Sequence, residues 1–224
     1  DDFFELHGDR VSGDDPALFG GIARIGGQRF VVVGHRGGHK VEWKIRHNLS
    51  SPHPSGHRKA IRLVRLAERL SLPILTLIDT PGAYADIRSE AEGQAGVIGQ
   101  LISAMLDVSV PTISVILGEG GSSAALALAS SDRVIMTDAS WYSSITPEGA
   151  AAILWKDVEK KAEAAAALKL TPSDHLEAGL VDLVIPSSPR TTDFVGLLRS
   201  TVLGYLRELV ETGPDLARRS RAVG

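Results

Sequence analysis

The sequence predicts a layered α/β fold, and three observations carry that expectation. Short apolar runs at 73–78, 112–117 and 133–136 have the length of buried strands, and the first two run directly into Pro-Gly or glycine-rich punctuation. Stretches with helical spacing of apolar residues lie between them, as a parallel arrangement requires. A chain of 224 residues, 43% hydrophobic and 23% charged, is long enough to bury a core between such layers as one large domain.

The elements follow in order. Ile22–Ile25 and Phe30–Val33 flank Gly26-Gly27, the form of a hairpin with a glycine turn, and the second strand closes at Gly34-His35. The segment 41–48 is basic and reads as a helix. Ala60, Leu63, Val64, Ala67 and Leu70 recur at helical spacing and predict a helix over 57–70. The apolar run 73–78 then feeds Asp79-Thr80-Pro81-Gly82 as a buried strand entering a loop. A helix over 91–106, a strand over 112–117, a glycine turn Gly118-Glu119-Gly120-Gly121, a small-residue helix over 122–129 and a strand over 133–136 repeat the pattern. Thr146-Pro147-Glu148 is a helix start, with Thr as cap and Pro at the first helical position. Helices continue to Ala178, a last strand occupies 181–185, and a helix over 193–209 precedes a basic tail, Arg218-Arg219-Ser220-Arg221.

Composition narrows the function classes. A net charge of −3 gives no global basic field for nucleic acid. The chain has no cysteine, which removes disulfides, thiolate chemistry and a zinc ribbon from its own repertoire. No metal-ligand spacing stands out. No run of about 18 uninterrupted apolar residues occurs, and the expected setting is cytoplasmic, away from membranes.

Three segments could carry chemistry. Gly118-Glu119-Gly120-Gly121-Ser122-Ser123 joins a strand to a helix of small residues, where bare backbone and helix-start N–H groups can donate to a developing negative oxygen. The same segment also suits a tight packing turn or a phosphate loop; it is not a dinucleotide fingerprint, because its spacing matches only as far as the second glycine. Asp79-Thr80-Pro81-Gly82-Ala83-Tyr84 ends another strand and could present amides to the same cleft, or be a turn and nothing more. The cations around His35-Arg36 and His57-Arg58-Lys59 could hold phosphate or carboxylate, or form a solvated basic face.

Taken together these strings resemble the α subunit of bacterial acetyl-CoA carboxylase carboxyltransferases. The resemblance runs in order through Asp1-Asp2-Phe3-Phe4-Glu5-Leu6-His7-Gly8-Asp9-Arg10, Gly20-Gly21-Ile22-Ala23-Arg24, Gly34-His35, Lys44-Ile45-Arg46, Arg58-Lys59-Ala60, Ile78 to Tyr84, Gly118 to Ser122, and Pro147-Glu148-Gly149 through Ile153-Leu154-Trp155-Lys156. It implies a crotonase-like (ClpP/crotonase) spiral of ββα units over 1–186, with 187–224 as a C-terminal helical segment and basic tail. It further implies carboxyl transfer from carboxybiotin, borne on a separate biotin carboxyl carrier protein, to an acyl-CoA or acyl-carrier-protein thioester, giving malonyl-CoA for fatty acid biosynthesis when the acyl group is acetyl. A carboxyltransferase β subunit would complete the site, in an α2β2 hetero-oligomer.

Carried over by position, Gly120 and Gly121 would donate amides to the biotin ureido oxygen. Gly82, Ala83, Tyr84, Ser122, Ser123, His35 and Arg36 would bind biotin or substrate, and no metal is implied. The family continues its Glu-Gly-Gly-Ser string with two more glycines, where this chain has Ser123 and Ala124; after Tyr84 it has Ala85-Asp86 in place of Pro-Gly. Two other readings use the same residues: a malonyl-thioester decarboxylase of the crotonase type, and a structural subunit without a working pocket.

Overall fold

The computed structural model describes residues 2–38, 40–187 and 193–221. The glycine-rich hairpin forms as its pattern requires: strand β2 (Leu18–Ile25) pairs antiparallel with β3 (Gln28–His35), and the N-terminal β1 (Asp2–Glu5) adds to its open edge. Helix α1 (Val41–Arg46) and a single 3-10 turn at Asn48–Ser50 lead to the long helix α2 (Pro54–Leu70), which starts with Pro in its first turn.

Strand β4 (Ile74–Thr80) lies parallel to β3. The helix expected over 91–106 is two helices, α3 (Ile87–Ala91) and α4 (Gln94–Asp107), broken at Gly93, whose φ of +78° is left-handed and ends one helix before the next begins. Strand β5 (Thr112–Gly121) is followed by α5 (Ser122–Ala129) and β6 (Arg133–Thr137). A short strand β7 (Trp141–Ser143), helices α6 (Pro147–Trp155), α7 (Lys161–Leu168) and α8 (Pro172–Glu177), strand β8 (Leu183–Ile185), and helices α9 (Phe194–Thr212) and α10 (Leu216–Arg221) complete the chain. Thr146 caps α6 by accepting from the Gly149 amide, as its sequence predicts.

The main sheet runs β1-β2-β3-β4-β5-β6-β8, antiparallel at the hairpin end and parallel from β3 onward; β7 pairs with the far end of β5. Successive residues of β3 alternate between its faces. Val31 and Val33 join Leu63, Val64, Leu101 and Met105 beneath α2 and α4, whereas Phe30 and Val32 meet Val202, Leu206 and Leu209 of α9. The sheet is therefore covered on both sides, which is why its central strands read as continuous apolar runs.

The C-terminal helices pack against the rest of the chain. Helix α9 supplies Val202, Leu206 and Leu209 to the core on one face of the sheet. In the basic segment that follows, Arg218 and Arg219 are buried. Arg219 reaches both carboxylate oxygens of buried Asp132 at 2.7 Å and bonds carbonyls at the end of α4 and in the loop after it, including Val110 at 3.0 Å. Arg218 pairs with Asp182 at 3.2 Å.

Among the described residues, no helix is long and apolar enough to cross a membrane, and no cluster of His, Asp or Glu is arranged to hold a metal ion.

Candidate functional site

The segment expected as a glycine turn is strand for most of its length. Glu119, Gly120 and Gly121 continue β5, paired on one side with Trp141, Tyr142 and Ser143, while Gly120 also faces Thr80 of β4. Backbone pairing on both sides accounts for the strand, although the residue types alone have little β preference. The chain turns one residue later. Ser122 adopts φ +60°, unusual for a residue with a side chain, and opens α5. No side chain caps α5, so its first-turn amides, at Ser123 and Ala124, are left without an intrahelical partner.

The loop after β4 is fitted against this bend. Thr80 Oγ1 accepts from the Gly82 amide at 3.1 Å, closing a tight turn. Gly82 has φ +143°, and a β-carbon built on it would stand 3.3 Å from the Ser122 β-carbon. Asp79, at the end of β4, accepts the Glu119 amide at 3.0 Å, and Gly118 leaves room for its carboxylate. Strand ends β4 and β5 are thereby locked side by side, with Ser122 and Ser123 emerging between them.

Two cavities open on either side of that point. One, of about 620 Å³, is bounded by Ala83, Tyr84, Ala85, Gln94, Gly96 and Ser123. The other, of about 380 Å³, is bounded by Ser122, Ser123, Leu126, Tyr142 and His175. Ser123 belongs to both walls. In the first cavity, Tyr84 is stacked on His53 with ring centroids 4.5 Å apart, its amide donates to the Pro52 carbonyl at 3.0 Å, and His53 Nδ1 lies 2.7 Å from Ser89 Oγ. Gln94 donates through Nε2 to the same Pro52 carbonyl at 2.9 Å, and its Oε1 is buried with no partner among the described residues. In the second cavity, His175 Nε2 donates to the Tyr142 carbonyl at 2.7 Å, and burial pushes the Tyr142 phenol above its ordinary range, keeping it neutral.

The residues singled out from sequence divide accordingly. Ala83, Tyr84, Ser122 and Ser123 line cavities; Gly82 backs them. Gly120 and Gly121 are buried beneath, forming the strand end from which the bend departs. His35 and Arg36 line neither cavity. His35 is buried at the end of β3, where its Nδ1 sits 3.5 Å from the Asp79 amide, and Arg36 is paired with Glu5 and lies 5.5 Å from the Phe19 ring centroid.

Burial, with the neighbouring His57 adding to it, pushes the His35 imidazole down to about 3; burial likewise pushes His57 down to about 4, so both are neutral at pH 7. His53 and Gln94 were not foreseen. The only hint of His53 was its place in Pro52-His53-Pro54, and Gln94 reads as an ordinary helix residue.

The family described as acetyl co-enzyme A carboxylase carboxyltransferase-like matches residues 1–212 of the chain. The acetyl-coenzyme A carboxylase carboxyl transferase subunit alpha of a Thermus thermophilus strain is 45% identical over 233 aligned positions, covering 100% of this chain and 75% of that protein. The same subunit of Thioalkalivibrio sulfidiphilus is 50% identical over 185 positions, covering 83% of this chain and 58% of its own length.

Among solved structures, transcarboxylase 12S with methylmalonyl-coenzyme A bound superposes with a TM-score of 0.78 at 20% identity, over 94% of this chain and 39% of that one. A Pseudomonas malonate decarboxylase hetero-tetramer in complex with coenzyme A gives 0.77 at 19% identity, over 93% and 86%. At these identities the structural likeness speaks for the fold, and it agrees with the crotonase-type α/β architecture expected from sequence.

Proposed function

The chain belongs to the acetyl co-enzyme A carboxylase carboxyltransferase-like family, and from that premise we propose that it is the α-type subunit of a biotin-dependent acyl-CoA carboxyltransferase, acetyl-CoA being the first substrate to test. The observation that carries this reading is the bend at Gly120–Ser123: an uncapped helix start, backed by glycines, opening between two cavities that share Ser123.

Biotin's bicyclic urea fits the donor set of the larger cavity. Its ureido oxygen needs hydrogen-bond donors, which the bend and the first turn of α5 supply, and its ureido N–H groups need an acceptor, which Gln94 Oε1 can provide. Ala83, Ala85 and Gly96 keep the walls low enough to admit a ring. When bound, carboxybiotin supplies the carboxyl group to be transferred. The protein's part is to hold negative charge as it develops on oxygen, using main-chain dipoles fixed in advance by the strand pairing of Gly120 and Gly121. Such donors need no reorganisation during reaction, and removal of one typically costs about 3–4 kcal/mol of transition-state stabilisation. The reading assigns no side chain the part of general base: His35 and His57 are buried behind the strands, and His175, which lines the smaller cavity, is held through Nε2 by the Tyr142 carbonyl. Ser123, between the cavities, would set how far each ligand penetrates.

The same reading assigns the thioester to a β subunit docked over this face, a separate biotin carrier as the source of the carboxyl group, an α2β2 assembly and a cytoplasmic setting. The test is to purify the chain with its candidate β subunit and follow carboxyl transfer from malonyl-CoA to biocytin. Transfer that requires both subunits and biotin supports the proposal. Loss of CO2 from malonyl-CoA at an unchanged rate without biotin identifies a decarboxylase instead.

A further inference from the structure

A second concave site lies away from the bend, over the outer face of α2. A cavity of about 510 Å³ is lined by Arg10, Arg58, Arg62, Arg65 and Arg69, with Asp9 as its acidic member. Four of these arginines occupy positions 58, 62, 65 and 69, the three-and-four spacing that puts side chains on one face of a helix. The fifth comes from the loop after β1.

The charge there is not neutralised from within. Asp9 is saturated: it accepts the amides of Val11, Ser12 and Gly13, the Ser12 hydroxyl at 3.2 Å and Arg58 Nε at 2.7 Å. Burial works against its ionisation, but these donors hold its carboxyl well below the usual carboxylate range. Arg58 is satisfied by Asp9 and Glu92. Among the described residues, Arg62 and Arg10 reach only main-chain carbonyls, Gly8 and His7 for the former and His7 for the latter. Arg65 and Arg69 make no ion pair with any described residue. Burial and the charge of Arg10 together push the Arg62 guanidinium down, against the opposing pull of Asp14 and Asp9. Like charges are thus crowded into a concavity that is open to a ligand.

We infer that this cavity is an anion site for a diphosphate-bearing ligand, with Arg10, Arg62, Arg65 and Arg69 as its donors. Guanidinium forks match phosphate oxygens in pairs, and a diphosphate carries enough charge to offset most of four arginines. Its size is that of a small-molecule site. A neighbouring cavity of about 700 Å³ shares Arg65 and Gln100 and extends over Gly99 to Gly96, which also lines the cavity at Ser123. A β-carbon at Gly96 or Gly99 would meet nothing within 4 Å, so the floor between is bare helix backbone, open to an extended chain. The diphosphate of a free nucleotide and that of coenzyme A are therefore both candidates, and anion binding here does not depend on the carboxyl-transfer reading.

The test is calorimetric titration of the full chain with inorganic diphosphate, ADP and coenzyme A at constant ionic strength, with Arg65→Gln/Arg69→Gln as the variant. Both arginines are exposed, so the variant keeps the fold, which an unchanged melting temperature without ligand verifies. Saturable 1:1 binding of diphosphate that weakens at least ten-fold in the variant supports the site. Coenzyme A binding tighter than ADP, with that advantage lost in Gly96→Leu, assigns the groove to the rest of coenzyme A; equal affinities assign the site to phosphates alone. No saturable binding of any of the three, or binding unchanged in the variant, overturns the inference.

Discussion

Gly121 and Pro81 meet with no space for a side chain between them: a β-carbon added to Gly121 would overlap the Pro81 carbonyl oxygen and carbon. This contact brings the loop after β4 onto the bend after β5, and it makes glycine a packing requirement as well as a source of bare backbone. Gly121→Ala is expected to cost about 1–3 kcal/mol, the usual range for overpacking, because backbone rather than a flexible side chain must yield. Urea unfolding of the two proteins measures it. A variant as stable as the parent shows that the two loops are not locked together as described.

Ser123 stands in the walls of both cavities, and among the described residues its hydroxyl has no hydrogen-bond partner. Ser123→Leu is expected to leave the melting temperature within a few degrees, since the side chain is part-exposed, while raising the KM for biocytin at least ten-fold. Ser123→Gly, which removes the side chain shared by the two walls, is expected to lower the KM for biocytin. Unchanged kinetics in both variants remove Ser123 from the site.

The Arg219–Asp132 pair is fully buried, and both partners carry further bonds: Asp132 also accepts the Thr112 amide at 2.7 Å and the Asp215 amide at 2.7 Å. Arg219→Met leaves the carboxylate without its cation and is expected to cost about 3–5 kcal/mol, with Arg219→Met/Asp132→Leu recovering part of it. Chemical denaturation resolves the difference. A loss below about 1 kcal/mol shows that α10 is not held in the core by this pair.

His35 and His57 give stability an acid-side dependence. Their folded pKa values, about 3 and about 4, lie below the ordinary 6.5, so below pH 6.5 the unfolded chain binds protons that the folded chain does not. Stability from each imidazole is fully present above pH 6.5 and declines as pH falls toward the folded value. The slope is at most about 1.4 kcal/mol per pH unit for one histidine. Asp14, brought down to about 2 against the effect of burial by its bonds to Lys59, Gly8 and His7, acts only below pH 4 and leaves this window clear. Unfolding of His57→Gln between pH 7 and pH 5 should show a shallower decline than the parent; an identical slope contradicts the burial of a neutral His57.

What was legible in the sequence was local. The hairpin at Gly26-Gly27, the Thr146 cap and the strand expected from the run 73–78, which forms as Ile74–Thr80, each depend on residues within a few positions of one another. The strand character of Glu119–Gly121 was not legible, because it rests on pairing with Thr80 and with Trp141–Ser143, partners that only the tertiary fold brings near. The burial of Arg219 was not legible for the same reason, its counter-charge being 87 positions away. His35 and Arg36 belonged to a recognisable string, yet that neither lines the two cavities beside Ser123 is decided by packing around the end of β3.

The account rests on main-chain donors at the 120–123 bend serving carboxyl transfer, and the rate of that reaction in a complex carrying Gly121→Val tests it most directly. With the altered subunit still assembling with its β partner, transfer from malonyl-CoA to biocytin is predicted to fall at least a hundred-fold, chiefly in kcat. An assembled complex that transfers carboxyl groups at the parent rate contradicts it.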